Sequence, residues 1–279
     1  MNKKLLKYRL FVIFILIIGM VFFRNKFLDD KKSAAEQPNI TPTVFIHGYK
    51  GSDRSFSTML SRMEKNKWGH RSIICHIDRN GNIKFNGKLK RNVSQPFIQV
   101  IFEDNRARLS DQTIWLQTLM KQLKENYHIE NINLVGHSMG GLAATNYLET
   151  VGDNELYPRV NKLVTIGSPF LGIDKEEYFL QNHGEALIDL KPRSVGLDQL
   201  VKNKAFIPKN VKVLSIAGVI SDPETGDGLV SLQSALGNRY IFHESHFEQV
   251  ILTDPAATHS GLHEHPGVDE YIARFLWRK

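Results

Sequence analysis

Short apolar runs alternate with segments of helical periodicity along most of this chain. Several runs are apolar at consecutive positions, as is expected of strands that are covered on both faces. We predict strands at 41–48, 71–78, 96–104, 131–138, 160–168, 211–218 and 246–252. Between them, apolar residues at helical spacing predict helices at 111–127, 139–150 and 268–277. This alternation predicts an α/β protein with a mostly parallel central sheet flanked by helices. In such sheets, ligands bind at the carboxyl ends of the strands.

Two segments depart from this alternation. Residues 81–92 predict an added hairpin that turns at Asn86 and Gly87. Residues 169–210 are of mixed polarity and contain no strand pattern. We therefore expect one globular domain over residues 37–279, with an insert at about 169–210 that forms a cap over the end of the sheet.

The N-terminus has the pattern of an export signal. A basic start is followed by an uncharged run from Leu10 to Phe23. The run lacks a small-residue cleavage site directly after it, and it is shorter than the roughly 20 residues of a membrane span. Residues 1–36 are therefore predicted to be a signal or membrane anchor with its tether. The domain is expected outside the cytoplasm, either anchored at the cell surface or secreted.

Composition and charge further restrict the class of protein and its partners. The chain has 279 residues, of which 42% are hydrophobic and 23% charged, as in a globular protein with one sizeable core. The formal net charge is +7, but residues 1–36 hold eight Lys/Arg against three Asp/Glu. The remaining residues are nearly neutral and show no basic stripe, which argues against a nucleic-acid partner. The single cysteine, Cys75, lies in an apolar run and is expected to be buried.

Gly136, Ser138 and Gly140 form a G-x-S-x-G motif between a predicted strand and a predicted helix. A side chain at position 136 or 140 would collide with neighbouring backbone, whereas glycine allows the sharp turn that exposes a serine hydroxyl. The other interpretation is a packing turn with an N-capping serine. The strand and helix context favours a nucleophile.

A serine nucleophile needs a base to remove its proton and a carboxylate to hold that base. In this context the acid and then the histidine follow the serine along the chain. Asp222 and Asp227 both follow the strand 211–218. The late histidines are His243, His246, His259, His263 and His265.

Five segments together resemble the α/β-hydrolase family. They are "VFIHGYKGS", "NLVGHSMGG", "TIGSPFLG", "GDGLVS" and "HSGLHEHPGV", and the resemblance covers residues 40–279. It is nearest to a bacterial group of exported or cell-surface hydrolases that are related to lipases and have largely undefined substrates. The resemblance implies the α/β-hydrolase fold.

The resemblance also implies roles for particular residues. In the family ending, the catalytic histidine stands five residues before an acidic residue and seven before a proline, and Glu264 and Pro266 give His259 both spacings. His263 is the second candidate. "GDGLVS" resembles the turn that carries the acid and favours Asp227 over Asp222, although this chain has Ser231 where a proline is common.

The transition state of acyl transfer needs donors for an oxyanion. One is expected from the backbone amide of Met139, which follows the nucleophile. The second is expected from Tyr49 in the loop "HGYKG", where His47 is interpreted as a residue that shapes the loop.

These elements predict a serine hydrolase that cleaves carboxylic esters through an acyl-enzyme, without metal or cofactor. Acyl transfer or amide cleavage by the same triad is the alternative, and a non-catalytic binding module is a third. The late histidines also raise the possibility of a zinc site, but the motif H-E-x-x-H is absent. The expected partners are a small-molecule or lipid ester, and a membrane through the N-terminal segment.

Overall fold

The computed structural model describes residues 19–20, 24, 40–89 and 95–278. The chain divides into two units, Met1–Asn39 and Ile40–Lys279. Most of the predicted export segment and its tether, residues 1–36, lies outside the described residues. Within the ranges just given, no helix has both the length and the apolar character needed to cross a bilayer.

The strands of the second unit form one sheet of eight strands in the order β3-β2-β4-β1-β5-β6-β7-β8. Every neighbouring pair is parallel except β2 and β3. The strands are β1 (Thr43–Ile46), β2 (His70–Ile77), β3 (Ile83–Gly87), β4 (Pro96–Phe102), β5 (Asn131–His137), β6 (Arg159–Ile166), β7 (Lys212–Val219) and β8 (Phe247–Thr253).

Helices cover both faces of the sheet. The side chains of Val44 and Ile46 pack on one face, and that of Phe45 packs on the other. A strand buried in this way on both faces has to be apolar at consecutive positions. The helices are α1 (Ser57–Lys65), α2 (Leu109–Tyr127), α3 (Met139–Val151), α4 (Glu176–Gln181), α5 (Ala186–Leu190), α6 (Val195–Lys202), α7 (Leu232–Ala235) and α8 (Pro266–Trp277).

Different helices pack against the two faces of the sheet. Helices α2 and α3 pack with the Val44 face of the sheet, and α1 and α8 pack with the Phe45 face. The loops after β1, β5, β7 and β8 all leave the sheet at its carboxyl end because these strands are parallel. Segments far apart in sequence therefore meet at that end.

The chain between β6 and β7 forms the short helices α4, α5 and α6. Helix α5 is held by Asp189, whose buried carboxylate accepts two hydrogen bonds from the Arg108 guanidinium and one from the amide of Leu109. Near α4, the Tyr49 hydroxyl donates to the carbonyl of His183 over 2.6 Å. This segment thus contacts the loop that follows β1.

The hairpin predicted at residues 81–92 turns at a different place. Asn86 and Gly87 lie within β3, paired with Ile74 and Ile73 of β2. The chain reverses before β3 instead, where Asp78 Oδ1 accepts hydrogen bonds from the amides of Asn80 and Asn82. An aspartate that binds its own following backbone stabilises a turn, and here this local bond outweighs the Asn-Gly signal.

Candidate active site

Ser138 lies at the sharp turn between β5 and α3. Its φ is 54° and its ψ is −127°, a conformation that non-glycine residues adopt only under strain. The glycines on either side make this turn possible. A Cβ at position 140 would lie 2.2 Å from the carbonyl oxygen of Ile46, and one at position 136 would lie 2.5 Å from that of Gly140. The collisions expected from the sequence are therefore present.

Asp227 follows β7 in a tight turn and is almost fully buried. One carboxylate oxygen, Oδ1, accepts hydrogen bonds from the amides of Leu229 and Val230 over 3.0 and 2.7 Å. The other, Oδ2, lies 2.8 Å from His259 Nδ1. The turn therefore fixes the carboxylate and aims its free oxygen at the imidazole.

His259 lies in the loop between β8 and α8, and its ring connects Asp227 to Ser138. Its Nε2 is 2.9 Å from Ser138 Oγ. Because a carboxylate can only accept, Nδ1 carries the proton and Nε2 offers its lone pair to the serine hydroxyl. The backbone amide of His259 also donates to the carbonyl of Asp227 over 2.7 Å.

Asp222, the other acid considered, lies apart from the imidazole. It is exposed, and its carboxylate accepts hydrogen bonds from Ser221 and Thr225. The bonds from Thr225 and Ser221 lower the pKa of Asp222 to about 2. This aspartate therefore stabilises its own turn, in keeping with its position before Pro223.

The loop after β1 packs directly against the serine. A Cβ on Gly48 would lie 2.7 Å from Ser138 Cβ and 3.2 Å from the amide nitrogen of Met139. In the part of the chain that the structure describes, the amides of Tyr49 and Met139 donate no hydrogen bond. Both N–H groups are therefore free to bind an oxyanion, and Met139 also begins α3, at the positive end of its dipole.

His47 holds this loop in place. Its ring is buried, with Nδ1 2.8 Å from the carbonyl oxygen of Gly48 and Nε2 3.0 Å from the amide of Phe102. Burial lowers the pKa of His47 to about 4, so the ring is neutral at pH 7. Nδ1–H then donates to Gly48 while Nε2 accepts from Phe102, which ties the loop to the end of β4.

Two further histidines, His137 and His263, lie close to His259. His263 was the second candidate for the base, whereas His137 was not predicted to belong to the site. His137, directly before Ser138, has Nε2 2.8 Å from the carbonyl oxygen of His259, so it holds the loop of His259 by its backbone. The ring of His263 packs edge-on against that of His137, with 4.8 Å between centroids. Burial lowers the pKa of both, and the neighbouring histidines lower that of His137 further. The only available signal was that His137 occupies a variable position of the serine motif.

The histidines considered for zinc do not gather at one place. His243 and His246 precede β8, whereas His259, His263 and His265 follow it. His265 caps α8 by accepting from the amide of Gly267. Among the residues described, no group of three or more His, Cys, Asp or Glu is placed to bind a metal ion. Cys75 is a free buried thiol in β2.

The sheet topology and the strand-turn-helix around Ser138 define an α/β hydrolase. The sequence matches the family described as alpha/beta hydrolases of unknown function (DUF915) over residues 30–279, and the protein belongs to this family. The fold and the family expected from the sequence motifs are therefore confirmed. No curated protein sequence matches the chain.

Solved structures with the same fold come from several organisms. The product of gene lin2722 from Listeria innocua is 31% identical, with a TM-score of 0.76, and the match covers 86% of this chain and 95% of that one. A protein assigned as a cell surface hydrolase from Lactobacillus plantarum is 25% identical, with a TM-score of 0.67 and coverage of 85% and 90%. A Pyrococcus furiosus esterase is 17% identical, with a TM-score of 0.51 and coverage of 87% and 83%, and shares the fold.

Proposed function

We propose that this hydrolase cleaves carboxylic esters with a triad of Ser138, Asp227 and His259. The observation that carries the proposal is the unbroken hydrogen-bonded chain from Asp227 Oδ2 through the imidazole to Ser138 Oγ, with both links below 3 Å. A base within this reach can accept the serine proton as the oxygen attacks.

The steps follow from the positions of these groups. Ser138 Oγ attacks the ester carbonyl carbon while His259 Nε2 takes its proton. The oxyanion is bound by the amides of Tyr49 and Met139. His259 then protonates the departing alcohol, which leaves an acyl-enzyme, and water activated by the same nitrogen releases the acid. Asp227 keeps the tautomer correct and stabilises the imidazolium.

We also propose that the protein works outside the cytoplasm. The basic and then apolar pattern of residues 1–36 supports this location. The Lactobacillus plantarum protein, whose assignment places it at the cell surface, is a further support. An ester in or near the cell envelope, either small or lipid-like, is the substrate class that fits this location.

The proposal is tested by replacing Ser138 with alanine in the full chain. We expect the turnover of nitrophenyl esters of graded acyl length to fall by roughly 10⁴-fold or more, because the nucleophile is lost. Labelling by a fluorophosphonate probe should also disappear. Ser61→Ala, which removes an exposed hydroxyl on α1, is the matched control and should keep both activities. Undiminished labelling of the Ser138→Ala protein would exclude this nucleophile.

A further inference from the structure

A groove of about 1030 Å³ lies at the amino ends of β7 and β8. The segments that precede these two strands line it, residues 201–211 and 239–246. Asp227 follows the opposite end of β7. A strand of eight residues spans roughly 25 Å. The groove is therefore remote from the triad and plays no part in the mechanism above.

The groove combines apolar surface with aromatic rings that face solvent. Ile207 and Phe242 contribute to its lining. Tyr240 lines it as well and is 49% exposed. Phe206, which stands between the lining residues Ala205 and Ile207 in the chain, is 65% exposed. Exposed aromatic and apolar side chains around a groove commonly mark a contact surface.

The same groove is positively charged. Lys204, Lys209 and Arg239 line it against one carboxylate, that of Glu244. None of the three cations forms an ion pair with any described carboxylate. Lys204 donates to the carbonyl of Tyr240, and the Arg239 guanidinium lies 5.1 Å from the centre of the Tyr240 ring. The charges are thus interleaved with the aromatic surface.

A second basic cluster lies at the same end of the sheet. Lys162, Lys212, Arg274 and Arg278 line a smaller groove of about 370 Å³, where Glu248 is the acidic residue. Burial lowers the pKa of Lys162, and the nearby charges of Lys212 and Arg278 lower it further. The amino end of the sheet therefore carries more positive charge than the first groove alone provides.

The chain also enters the compact unit at this end. β1 begins at Thr43, and parallel strands share their amino ends, so Ile40 lies at the same edge of the sheet as the two grooves. The predicted export segment, residues 1–36, precedes Ile40 in the sequence.

We infer that this end of the unit binds the surface of an anionic lipid bilayer. Lys204, Lys209 and Arg239 contact lipid phosphates, while Phe206 and Tyr240 lie at the boundary between headgroups and acyl chains. Aromatic residues favour that boundary, and each cation near an anionic surface strengthens binding. We call these five residues the basic face. The inference is independent of the triad, whose opening lies at the other end of the sheet.

A fluorescent label on the full-length protein tests the inference. Cys75, the only native cysteine, is buried, so an introduced surface cysteine can be labelled selectively. Phe206→Cys places an environment-sensitive dye on the basic face. Leu180→Cys, at a position that is 78% exposed in the insert, places it near the carboxyl end as the control. Both proteins are incorporated into vesicles that contain a lipid-borne quencher.

We expect the dye at position 206 to be quenched in vesicles of phosphatidylglycerol and phosphatidylcholine, and much less in phosphatidylcholine alone. The control dye should remain unquenched in both. Lys204→Gln combined with Arg239→Gln should weaken the contact by roughly thirtyfold, since each cation contributes about a factor of five. Arg79→Gln with Lys84→Gln removes the same charge near the distant β2–β3 edge and should have no effect.

Three results would overturn the inference. They are an unquenched dye at position 206 in the anionic vesicles, quenching that is equal in neutral vesicles, and quenching that survives the Lys204 and Arg239 substitutions. A dye response to duplex DNA or to an acidic protein, without a response to the anionic vesicles, would assign the basic face to another polyanion and would also contradict it.

Discussion

At the scale of single residues, the site depends on how hydrogen bonds orient one imidazole. His259 takes part in four of these bonds. Its amide donates to the carbonyl of Asp227, its carbonyl accepts from His137, its Nδ1 donates to the Asp227 carboxylate, and its Nε2 accepts from the Ser138 hydroxyl. The first two fix the backbone, and the last two fix the ring. Replacing a residue that is hydrogen-bonded to the His259 ring is therefore expected to lower catalytic activity more than it lowers the free energy of unfolding.

Asp227→Asn should lower kcat for a nitrophenyl ester by roughly 10³–10⁴-fold. The asparagine oxygen can still accept from Leu229 and Val230, but its NH₂ group would face His259 Nδ1. The ring would then carry its proton on Nε2 and could not accept one from Ser138. Asp222→Asn is the control, and its kcat should stay close to that of the unchanged protein. A larger loss in the Asp222 variant would reverse the assignment of the acid.

At the scale of elements, the hydrophobic pattern predicted where helices and strands lie. The predicted helix 111–127 is observed as Leu109–Tyr127, and the predicted helix 268–277 as Pro266–Trp277. Both begin two residues earlier than predicted. Helix α2 begins at Leu109, whose amide donates to the carboxylate of Asp189, a residue distant in sequence. Helix α8 begins at Pro266, directly after the capping residue His265. The position of the turn before β3 was not predicted, because it depends on hydrogen bonds from backbone amides to the side chain of Asp78.

Helix α3 carries a buried charge-bearing group that the pattern does not explain. Glu149 is 4% exposed, and neither carboxylate oxygen has a hydrogen-bond partner within the described chain. Burial raises its pKa to about 8. The folded state therefore holds a proton that the unfolded chain releases above its ordinary pKa of about 4.5. The contribution of Glu149 to stability falls as the pH rises from about 4.5 to 8.

Glu149→Gln tests this linkage. At pH 4 the two proteins should unfold with similar free energies, because the carboxyl group is protonated in both states. At pH 9 the variant should be more stable by roughly 1–3 kcal/mol, since it has no charge to bury. Urea unfolding at the two pH values measures the difference. A variant that is equally stabilised or destabilised at both values would contradict the buried-proton account.

At the scale of the compact unit, one ion pair connects elements from opposite ends of the sequence. The Arg62 guanidinium of α1 donates two hydrogen bonds to the carboxylate of Asp269 in α8, and Arg62 also lies 3.4 Å from the carbonyl oxygen of His263. Burial raises the pKa of Asp269, although Arg62 acts in the opposite direction. The pair therefore holds the C-terminal helix and the loop that carries His259 against the rest of the sheet.

Arg62→Met should lower the free energy of unfolding by about 2–4 kcal/mol at pH 8, because the carboxylate of Asp269 would be buried without a partner. Below pH 4 the loss should shrink, since a protonated Asp269 has no charge to desolvate. Arg62→Met combined with Asp269→Leu should recover most of the stability. Chemical unfolding of the three proteins measures these changes, and an unrecovered double variant would show that packing, not charge, is responsible.

Local sequence alone indicated much of this protein: the strands, the main helices, the serine turn and the order in which the site residues occur. These features depend on neighbours within a few positions, such as the glycines beside Ser138, and are therefore visible in the chain. Tertiary structure alone brought His259 to Ser138 across 121 positions and placed Asp227, not Asp222, beside the ring. It also placed His137 behind that ring and gathered the cations of the basic face at one end of the sheet. Parallel strands align their ends in space however far apart they are in sequence, so these contacts exist only once the sheet has formed.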